Sequence, residues 1–386
     1  MTTALLDVSR LLNRLVGGKL PTGVDRVGLE YIRHYGTDTG TRAVLSEAGI
    51  CAVLSASQSE RAFDLLLQQD PASTFAARKI IAQAAYRALR NDNFPGSILF
   101  HTSHSGIERN RYMRAMKQRG VRTVVMVHDL IPLTHAEYCR PTIDRVHRQR
   151  MHSALRHASG IIANSQATLD SLVDEAHAAQ LPMPPAVVAH LAPGIEPMAR
   201  LRRPINAPYF VMLGTIEPRK NHWLMLHVWR RLVENLGNAA PTLVLVGRRG
   251  WECENVIDML ERSAPLKRAV IEEADCNDAR LQAWLQHAQA LVFPSFVEGY
   301  GMPLAEALAQ GVPVIASDLE VFKEIANNIP EYLDPLDGPG WLAMIRAYAD
   351  PSNGARNAQI ERLRHFCSPT WKRHFEIVDR FVGELR

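Results

Sequence analysis

The chain has 386 residues, of which 47% are hydrophobic and 22% charged, so it is long enough for two globular domains, and a disordered or fibrous protein is excluded. No apolar run approaches the roughly 20 residues that span a bilayer, and no signal peptide begins the chain, which predicts a cytoplasmic protein. The net charge of +4 is uneven, because residues 1–200 hold 23 Lys and Arg against 17 Asp and Glu; this leaves open an ordinary solvated surface or contact with an anionic partner.

The five cysteines form no Cys-x-x-Cys pair and no cluster with histidines. This pattern argues against structural zinc and is typical of a reducing compartment. The sequence also contains no Asp-x-Asp, so no carboxylate pair is evident that would hold a metal ion on a diphosphate. We therefore expect neither a bound metal nor a cofactor.

Strand and helix signals alternate along the whole chain. The strands predicted from short apolar runs are 4–8, 97–101, 122–127, 160–165, 209–213, 243–246, 269–271, 291–293 and 312–316. The predicted helices are one that begins near Asp25 and those at 60–92, 140–157, 221–237, 252–262, 281–289, 304–310 and 368–386. The alternation predicts an α/β protein with doubly wound parallel sheets. The face of 60–92 is apolar and basic, so it either packs in the core or meets a membrane-bound acceptor.

A proline-rich stretch at 180–208 predicts a domain boundary near residue 203. The predicted domains are an N-terminal one at 1–203 and a C-terminal one at 204–368. Residues 369–386 follow as an amphipathic helix.

Polar residues follow two predicted strands of the N-terminal domain. His101, Ser103 and His104 lie at the end of one strand, and His128 and Asp129 directly follow the next. Parallel sheets bind ligands beyond the carboxyl ends of their strands, which favours a site role for His128. Metal binding by the first group is an alternative, although no third ligand has a fitting spacing.

The first strand of the C-terminal domain is followed by GTIEPRKNH. Gly214 permits a tight turn at the strand end, and Arg219 and Lys220 place two cations on the loop. A departing diphosphate needs such partners, although two solvated cations would give the same pattern.

Residues 291–318, LVFPSFVEGYGMPLAEALAQGVPVIASD, are the most informative part of the sequence. They predict a buried strand, a loop with Glu298 and Gly299-Tyr300-Gly301, a helix with Glu306, and a second strand. The glycines let backbone N–H groups approach an anion, and the helix adds free N–H groups and the positive end of its dipole. The two glutamates could address opposite ends of one ligand.

The Pro-Ser, Glu-Gly-Tyr-Gly-Met-Pro, Glu-Ala and Gly-Val-Pro-Val elements of this stretch resemble the signature of the retaining glycosyltransferases of family 4, which have the GT-B fold. The resemblance extends over nearly the whole chain and is most specific at 209–220 and 291–318. It implies two Rossmann-like domains that face a cleft, with the donor on the C-terminal domain and the acceptor on the N-terminal one. It also implies that the helix at 369–386 crosses back to the N-terminal domain.

The resemblance implies a role for each matching residue. Glu298 would contact the donor sugar, Glu306 the ribose hydroxyls, and the N–H groups from Gly299 to Met302 the sugar and diphosphate. Lys220 and Arg219 would stabilise the departing diphosphate. The complete set of donor-binding candidates is Gly23, Gly214, Thr215, Arg219, Lys220, Glu298, Gly299, Tyr300, Gly301, Met302 and Glu306.

Two further stretches extend the resemblance. VHDLIPLTHAEY is similar to a subset of the family that acts in bacterial polysaccharide synthesis, in which the histidine contacts the donor sugar; His128 thereby joins Glu298, Lys220 and Arg219 as a catalytic candidate. Asp129 and Asp25 are candidates for the acceptor side. Many relatives have arginine at the position of Thr215, and we infer that Arg219 takes over this charge.

The resemblance implies transfer of a hexose, with retention, from a nucleotide-diphosphate sugar. The stretches VHDLIPL and GTIEPRKN are most similar to mannosyl- or rhamnosyltransferases, so the expected donor is GDP-mannose, and a UDP- or dTDP-sugar for rhamnosyl or glucosyl transfer is the alternative. The expected acceptor is a lipid-linked or other oligosaccharide in bacterial polysaccharide biosynthesis, and the basic N-terminal half would suit peripheral contact with the inner membrane. A nucleic-acid partner is not expected, because no zinc finger or RNA-recognition motif is present. A nucleotide-sugar epimerase and a non-catalytic sugar-nucleotide binder are the alternatives.

Overall fold

The computed structural model describes residues 3–19, 21–47, 50–68, 73–87, 92–194 and 201–385. The chain forms two compact units. The first consists of Met1–Leu133, Thr142–Leu191 and Trp371–Arg386, and the second of Thr134–Pro141 and Ala192–Thr370. The predicted division near residue 203 does not anticipate that Thr134–Pro141 belongs to the second unit.

Each unit is built on one sheet. The strands of the first unit are β1 (Ala4–Asp7), β2 (Arg42–Glu47), β3 (Ile50–Val53), β4 (Ile98–His101), β5 (Arg122–Val127), β6 (Gly160–Ala163) and β7 (Ala186–Val188). Those of the second are β8 (Tyr209–Leu213), β9 (Thr242–Val246), β10 (Val270–Glu273), β11 (Leu291–Phe293), β12 (Val314–Ser317) and β13 (Glu331–Leu333).

The strand order shows where ligands are expected. Within the described residues the two orders are β3-β2-β1-β4-β5-β6-β7 and β10-β9-β8-β11-β12-β13. Neighbouring strands are parallel, except that β2 and β3 are antiparallel. The order reverses between β1 and β4 and between β8 and β11, and open α/β sheets bind ligands at such points. The prediction of two doubly wound, Rossmann-like domains is confirmed.

Helices connect the strands. Their bounds are α1 (Ser9–Val16), α2 (Gly23–Tyr35), α3 (Ala56–Gln68), α4 (Thr74–Arg87), α5 (Asn110–Gln118), α6 (Ile131–Thr134), α7 (Ile143–His157), α8 (Gln166–Ala178), α9 (His222–Leu236), α10 (Glu254–Arg262), α11 (Ala264–Ala269), α12 (Asp278–Gln286), α13 (Met302–Ala309), α14 (Glu320–Ala326), α15 (Gly338–Ala349), α16 (Ala355–Leu363) and α17 (Trp371–Glu384). The predicted helix at 60–92 is two helices, α3 and α4, and its parts at 69–72 and 88–91 lie outside the described residues. None of the described helices is both long and apolar enough to cross a membrane.

The strands are apolar because helices cover both faces of each sheet. In the second unit, Trp229 of α9 and Trp341 of α15 are fully buried over the strands. In the first unit, α17 buries Phe375, Val378 and Phe381. Its His374 side chain lies 3.0 Å from the hydroxyl of Tyr31 on α2, which fixes the end of the chain on this unit.

Candidate functional site

The two loops that carry the predicted donor residues meet at the reversal point of the second sheet. One loop, residues 214–221, follows β8, and the other, residues 294–301, follows β11; we call the second the donor loop. The strands β8 and β11 are parallel neighbours, so their carboxyl ends lie side by side. The predicted residues of both loops are therefore brought together.

A cluster of charged side chains lies between these loops. One oxygen of Glu298 lies 2.7 Å from Nη1 of Arg219, and the other accepts from Nζ of Lys220 and from the hydroxyl of Ser295. Nε of Arg219 pairs with Glu217. Only 8% of the Glu298 side chain and 7% of the Lys220 side chain are exposed, against 22% for Arg219. Arg219 is thus the cation that an incoming ligand reaches most easily.

Burial and ion pairing shift the pKa values of this cluster in opposite directions. Burial alone would raise the pKa of Glu298, but the cations of Arg219 and Lys220 lower it to about 2. Burial raises the pKa of Glu217 despite Arg219, and it lowers the pKa of Lys220 despite Glu298. Glu298 is therefore an ionised, weakly basic carboxylate that suits hydrogen-bond acceptance better than proton uptake.

Backbone contacts tie the two loops together. The N–H of Phe296 donates to the carbonyl oxygen of Arg219 at 2.8 Å. The Arg219 side chain in turn donates to the carbonyl oxygen of Val297 at 3.3 Å. Hydrogen bonds of both the main chain and the side chain of Arg219 therefore hold it against the donor loop. Thr215, on the same loop, is exposed.

The donor loop ends in the helix that carries Glu306. Gly301, the residue before α13, has φ of +106°, and a Cβ atom there would lie 2.7 Å from the ring of Phe322. Only glycine fits this position. Tyr300 and Glu306 are buried. The N–H of Leu304 donates to the carbonyl oxygen of Gly301, so the first turn of the helix is partly satisfied from within.

The first unit holds His128 in a defined tautomer. Its Nε2 lies 2.7 Å from the carbonyl oxygen of Thr102. Because a carbonyl oxygen only accepts hydrogen bonds, Nε2 carries the proton and Nδ1 is left as an acceptor. Burial lowers the pKa of His128, which favours the neutral ring.

Neighbouring polar residues fix the main chain of His128 and Asp129. The N–H of His128 donates to Nε2 of His104 at 3.3 Å, and its carbonyl oxygen accepts from Asn164 at 2.9 Å. His147 contacts the carbonyl oxygen of Asp129 at 3.0 Å. His104, considered above as a metal ligand, thus supports His128. Across the described ranges, no three His, Cys, Asp or Glu side chains converge as metal ligands.

Asp25 is engaged within its own region. Its carboxylate pairs with Nε of Arg10 at 2.7 Å and with Nε of Arg14 at 2.8 Å. It also accepts from the N–H of Thr22, so it caps α2, which begins at Gly23. Only 1% of Asp25 is exposed. This arrangement favours a structural role over contact with an acceptor.

Sequence reasoning missed several members of these groups. Glu217 lies on the loop after β8 and Ser295 on the loop after β11. For Glu217 the available signal was an acidic residue two positions before the Arg-Lys pair. Asn164 directly follows β6, and a polar residue just after a strand was the available signal for it. Thr102 had none, because it acts through its carbonyl oxygen.

Known proteins are similar to this chain in sequence. Residues 196–329 match the family model of glycosyl transferases group 1. The serotype-specific mannosyltransferase WbdA of Escherichia coli is 26% identical over an alignment that covers 92% of this chain and 48% of the relative. The O-antigen chain mannosyltransferase B of Escherichia coli is 33% identical over 33% of each chain. The chain thus matches about half or less of the length of each of the WbdA relatives.

Solved structures share the fold. The Anabaena protein Alr3699/HepE, in a crystal structure with UDP and glucose, superposes with a TM-score of 0.67 over 99% of this chain and 100% of its own, at 16% sequence identity. At this identity the likeness concerns the fold alone, and it is the GT-B fold of two Rossmann-like domains. The matched residues 196–329 include both loops of the charge cluster, so the similarity to glycosyl transferases group 1 extends to this part of the chain.

Proposed function

We propose that this protein is a retaining glycosyltransferase that moves mannose from GDP-mannose to a lipid-linked or other oligosaccharide in polysaccharide biosynthesis. The observation that carries the proposal is the buried cluster of Arg219, Lys220 and Glu298 at the carboxyl ends of β8 and β11. The choice of sugar and setting rests on those relatives that are named mannosyltransferases, among them O-antigen enzymes.

The cluster suits a diphosphate donor. In this cluster Glu298 pairs with both Arg219 and Lys220, and Glu217 is a second partner of Arg219. A diphosphate would compete for these cations, first for the more exposed Arg219, and would free the carboxylate to accept hydrogen bonds from sugar hydroxyls. The same cations would stabilise the charge that grows on the departing nucleoside diphosphate. Because Arg219 and Lys220 supply this charge, we expect turnover without a divalent metal.

The weak basicity of Glu298 supports a front-face reaction. A carboxylate with a pKa of about 2 and two cationic partners is a poor nucleophile and a poor base. In the proposed step the bond from the sugar to the diphosphate breaks, the acceptor oxygen bonds to the same face, and its proton passes to the departing phosphate. Nδ1 of His128 would accept a hydrogen bond from a sugar hydroxyl. Trapping of a covalent glycosyl-enzyme would overturn this mechanism.

Donor binding is the first test. A ligand at about 100 times its dissociation constant adds roughly 2.7 kcal/mol of stability, which raises the melting temperature of domains of this size by a few degrees. We expect GDP to stabilise the protein more than UDP, dTDP or ADP, equally with and without magnesium. The absence of a shift with every nucleotide would contradict the proposal.

Product analysis separates the proposal from its alternatives. We expect release of GDP and mannosylation of a lipid-linked oligosaccharide when both substrates are present. Conversion of the nucleotide sugar without an acceptor would show an epimerase. Binding without turnover on any acceptor would show a non-catalytic binder.

We also propose that α4 contacts an anionic membrane surface. Phe75 and Tyr86 are 80% and 78% exposed. They lie on one face of the helix with Lys79 and Ala82, at positions i, i+4, i+7 and i+11, and exposed Arg78 flanks this face. Aromatic residues interleaved with cations suit the interface of an anionic bilayer.

Vesicle sedimentation tests this surface. We expect the protein to sediment with vesicles that contain phosphatidylglycerol and to remain in solution with phosphatidylcholine alone. Phe75→Ser together with Tyr86→Ser should abolish sedimentation. Leu336→Ser is the matched control, because Leu336 is 75% exposed on the second unit. Equal sedimentation of the double variant and the wild type would refute the role of α4.

A further inference from the structure

The segment Thr134–Pro141 is unusual in its connection. It begins at the last residue of α6 and ends before α7. The residues on both sides of it belong to the first unit, yet the segment itself belongs to the second. A short 3-10 turn at Ala136–Tyr138 shapes it. Thr142, the residue directly after the segment, has φ of +72°, a conformation that is rare for a β-branched residue. A strained end suggests that the surrounding contacts hold the segment in place.

One of these contacts lies on the donor loop. The ring of Tyr138 stacks on that of Phe296, with the centroids 5.1 Å apart and the planes inclined by 6°. The ring of His135 stacks with Tyr138 at 6.1 Å. Phe296 lies two residues before Glu298, and its N–H donates to the carbonyl oxygen of Arg219. The stack therefore acts on the part of the loop that joins both charged residues.

A second contact reaches the loop after β9. The indole N–H of Trp251 donates to the carbonyl oxygen of Tyr138 at 3.4 Å, and Arg140 lies over the Trp251 ring at 5.0 Å. This loop presses on the loop after β8, because a Cβ atom at Gly247 would lie 2.0 Å from the carbonyl oxygen of Gly214. The segment thus contacts the donor loop directly. It contacts residues 214–221, which carry Arg219, only indirectly, through the loop after β9.

We propose that Thr134–Pro141 braces the donor loop and that Tyr138 is a positioning residue for Glu298 and Arg219. The inference rests on the proposed glycosyl transfer. Neither loop has regular structure over its full length, so side-chain packing must supply the rigidity that a reacting geometry requires. The flat stack of Tyr138 on Phe296 supplies it next to the charge cluster.

Kinetics of three variants tests the ring itself. Tyr138→Ala and Tyr138→Leu should each lower kcat/KM by about three- to tenfold, the effect expected from loss of one aromatic pair. The loss should fall mainly on kcat, because misplaced charges act on the transition state more than on donor binding. Tyr138→Phe retains the ring and should stay within about twofold of the wild type. Equal activity of all three variants and the wild type would overturn the proposal.

Hydrogen exchange separates this inference from the proposed function. Amides of residues 294–301 should exchange faster in Tyr138→Ala and Tyr138→Leu than in the wild type and Tyr138→Phe, while exchange in β8 and β11 stays unchanged. This result in a protein that transfers no sugar would keep the brace and reject the transferase. Lower activity without faster exchange in the donor loop would reject the brace.

Discussion

Replacement of Glu298 by glutamine is expected to lower kcat/KM for glycosyl transfer by about a hundredfold or more. Glutamine keeps the shape of the side chain but turns an amide NH2 toward Arg219 or Lys220, which are donors themselves. Lys220 would then be a buried cation without its counter-charge, and removal of one partner of a buried ion pair costs about 3–5 kcal/mol. Steady-state kinetics with GDP-mannose and urea unfolding at pH 7 measure both effects.

A double variant separates the structural part of this loss from the catalytic part. Lys220→Met combined with Glu298→Gln removes both members of the pair, and such replacement is often neutral for stability. We expect the free energy of unfolding to recover, whereas the rate does not. Turnover of Glu298→Gln within about threefold of the wild type would contradict a role of Glu298 at the donor sugar.

The pH dependence of stability provides an internal check. The pKa of Glu298 is lowered to about 2 in the folded protein. The stability that its ionised carboxylate contributes is therefore fully present above the pKa of the unfolded chain, about 4.3. It is lost as the pH falls from about 4.3 toward 2. The difference in stability between the wild type and Glu298→Gln should therefore be constant from about pH 5 to 8 and shrink in more acidic solution.

Replacement of Arg219 by alanine is expected to lower kcat/KM by about a hundred- to a thousandfold. This is the usual effect of removing one hydrogen-bond donor that is already positioned to stabilise charge developing in the transition state. Arg219 is the more exposed of the two cations, and Thr215 on the same loop carries no charge. Arg219→Lys should recover only part of the rate, because lysine lacks the planar fork that contacts both Glu217 and Glu298. Initial rates at saturating and limiting donor measure both variants.

Arg230 offers a matched control for this prediction. It forms an i,i+4 pair with Glu234 on α9, and 54% of its side chain is exposed. Exposed pairs of this kind contribute little, so Arg230→Ala should change the rate by less than about twofold. Near-normal turnover of Arg219→Ala would contradict the inference that Arg219 supplies the charge that Thr215 lacks.

The sequence by itself determined many of the elements and the position of the charge cluster, but strands β2, β3 and β7 were not predicted. The predicted strands at 122–127, 209–213 and 291–293 are β5, β8 and β11 residue for residue, because short apolar runs between polar residues are local signals. Arg219, Lys220 and Glu298 follow from these strands, since the carboxyl ends of neighbouring parallel strands meet at one edge.

Only the tertiary structure decided the partners of these residues. Glu217 joins the cluster, and Asp25 turns inward to two arginines, although each is one acid among many in the sequence. Tyr138 reaches Phe296 across 158 positions of the chain. A hydrophobic pattern records whether a residue is buried and in which element, but the identity of a distant neighbour depends on how elements pack, which no local signal contains.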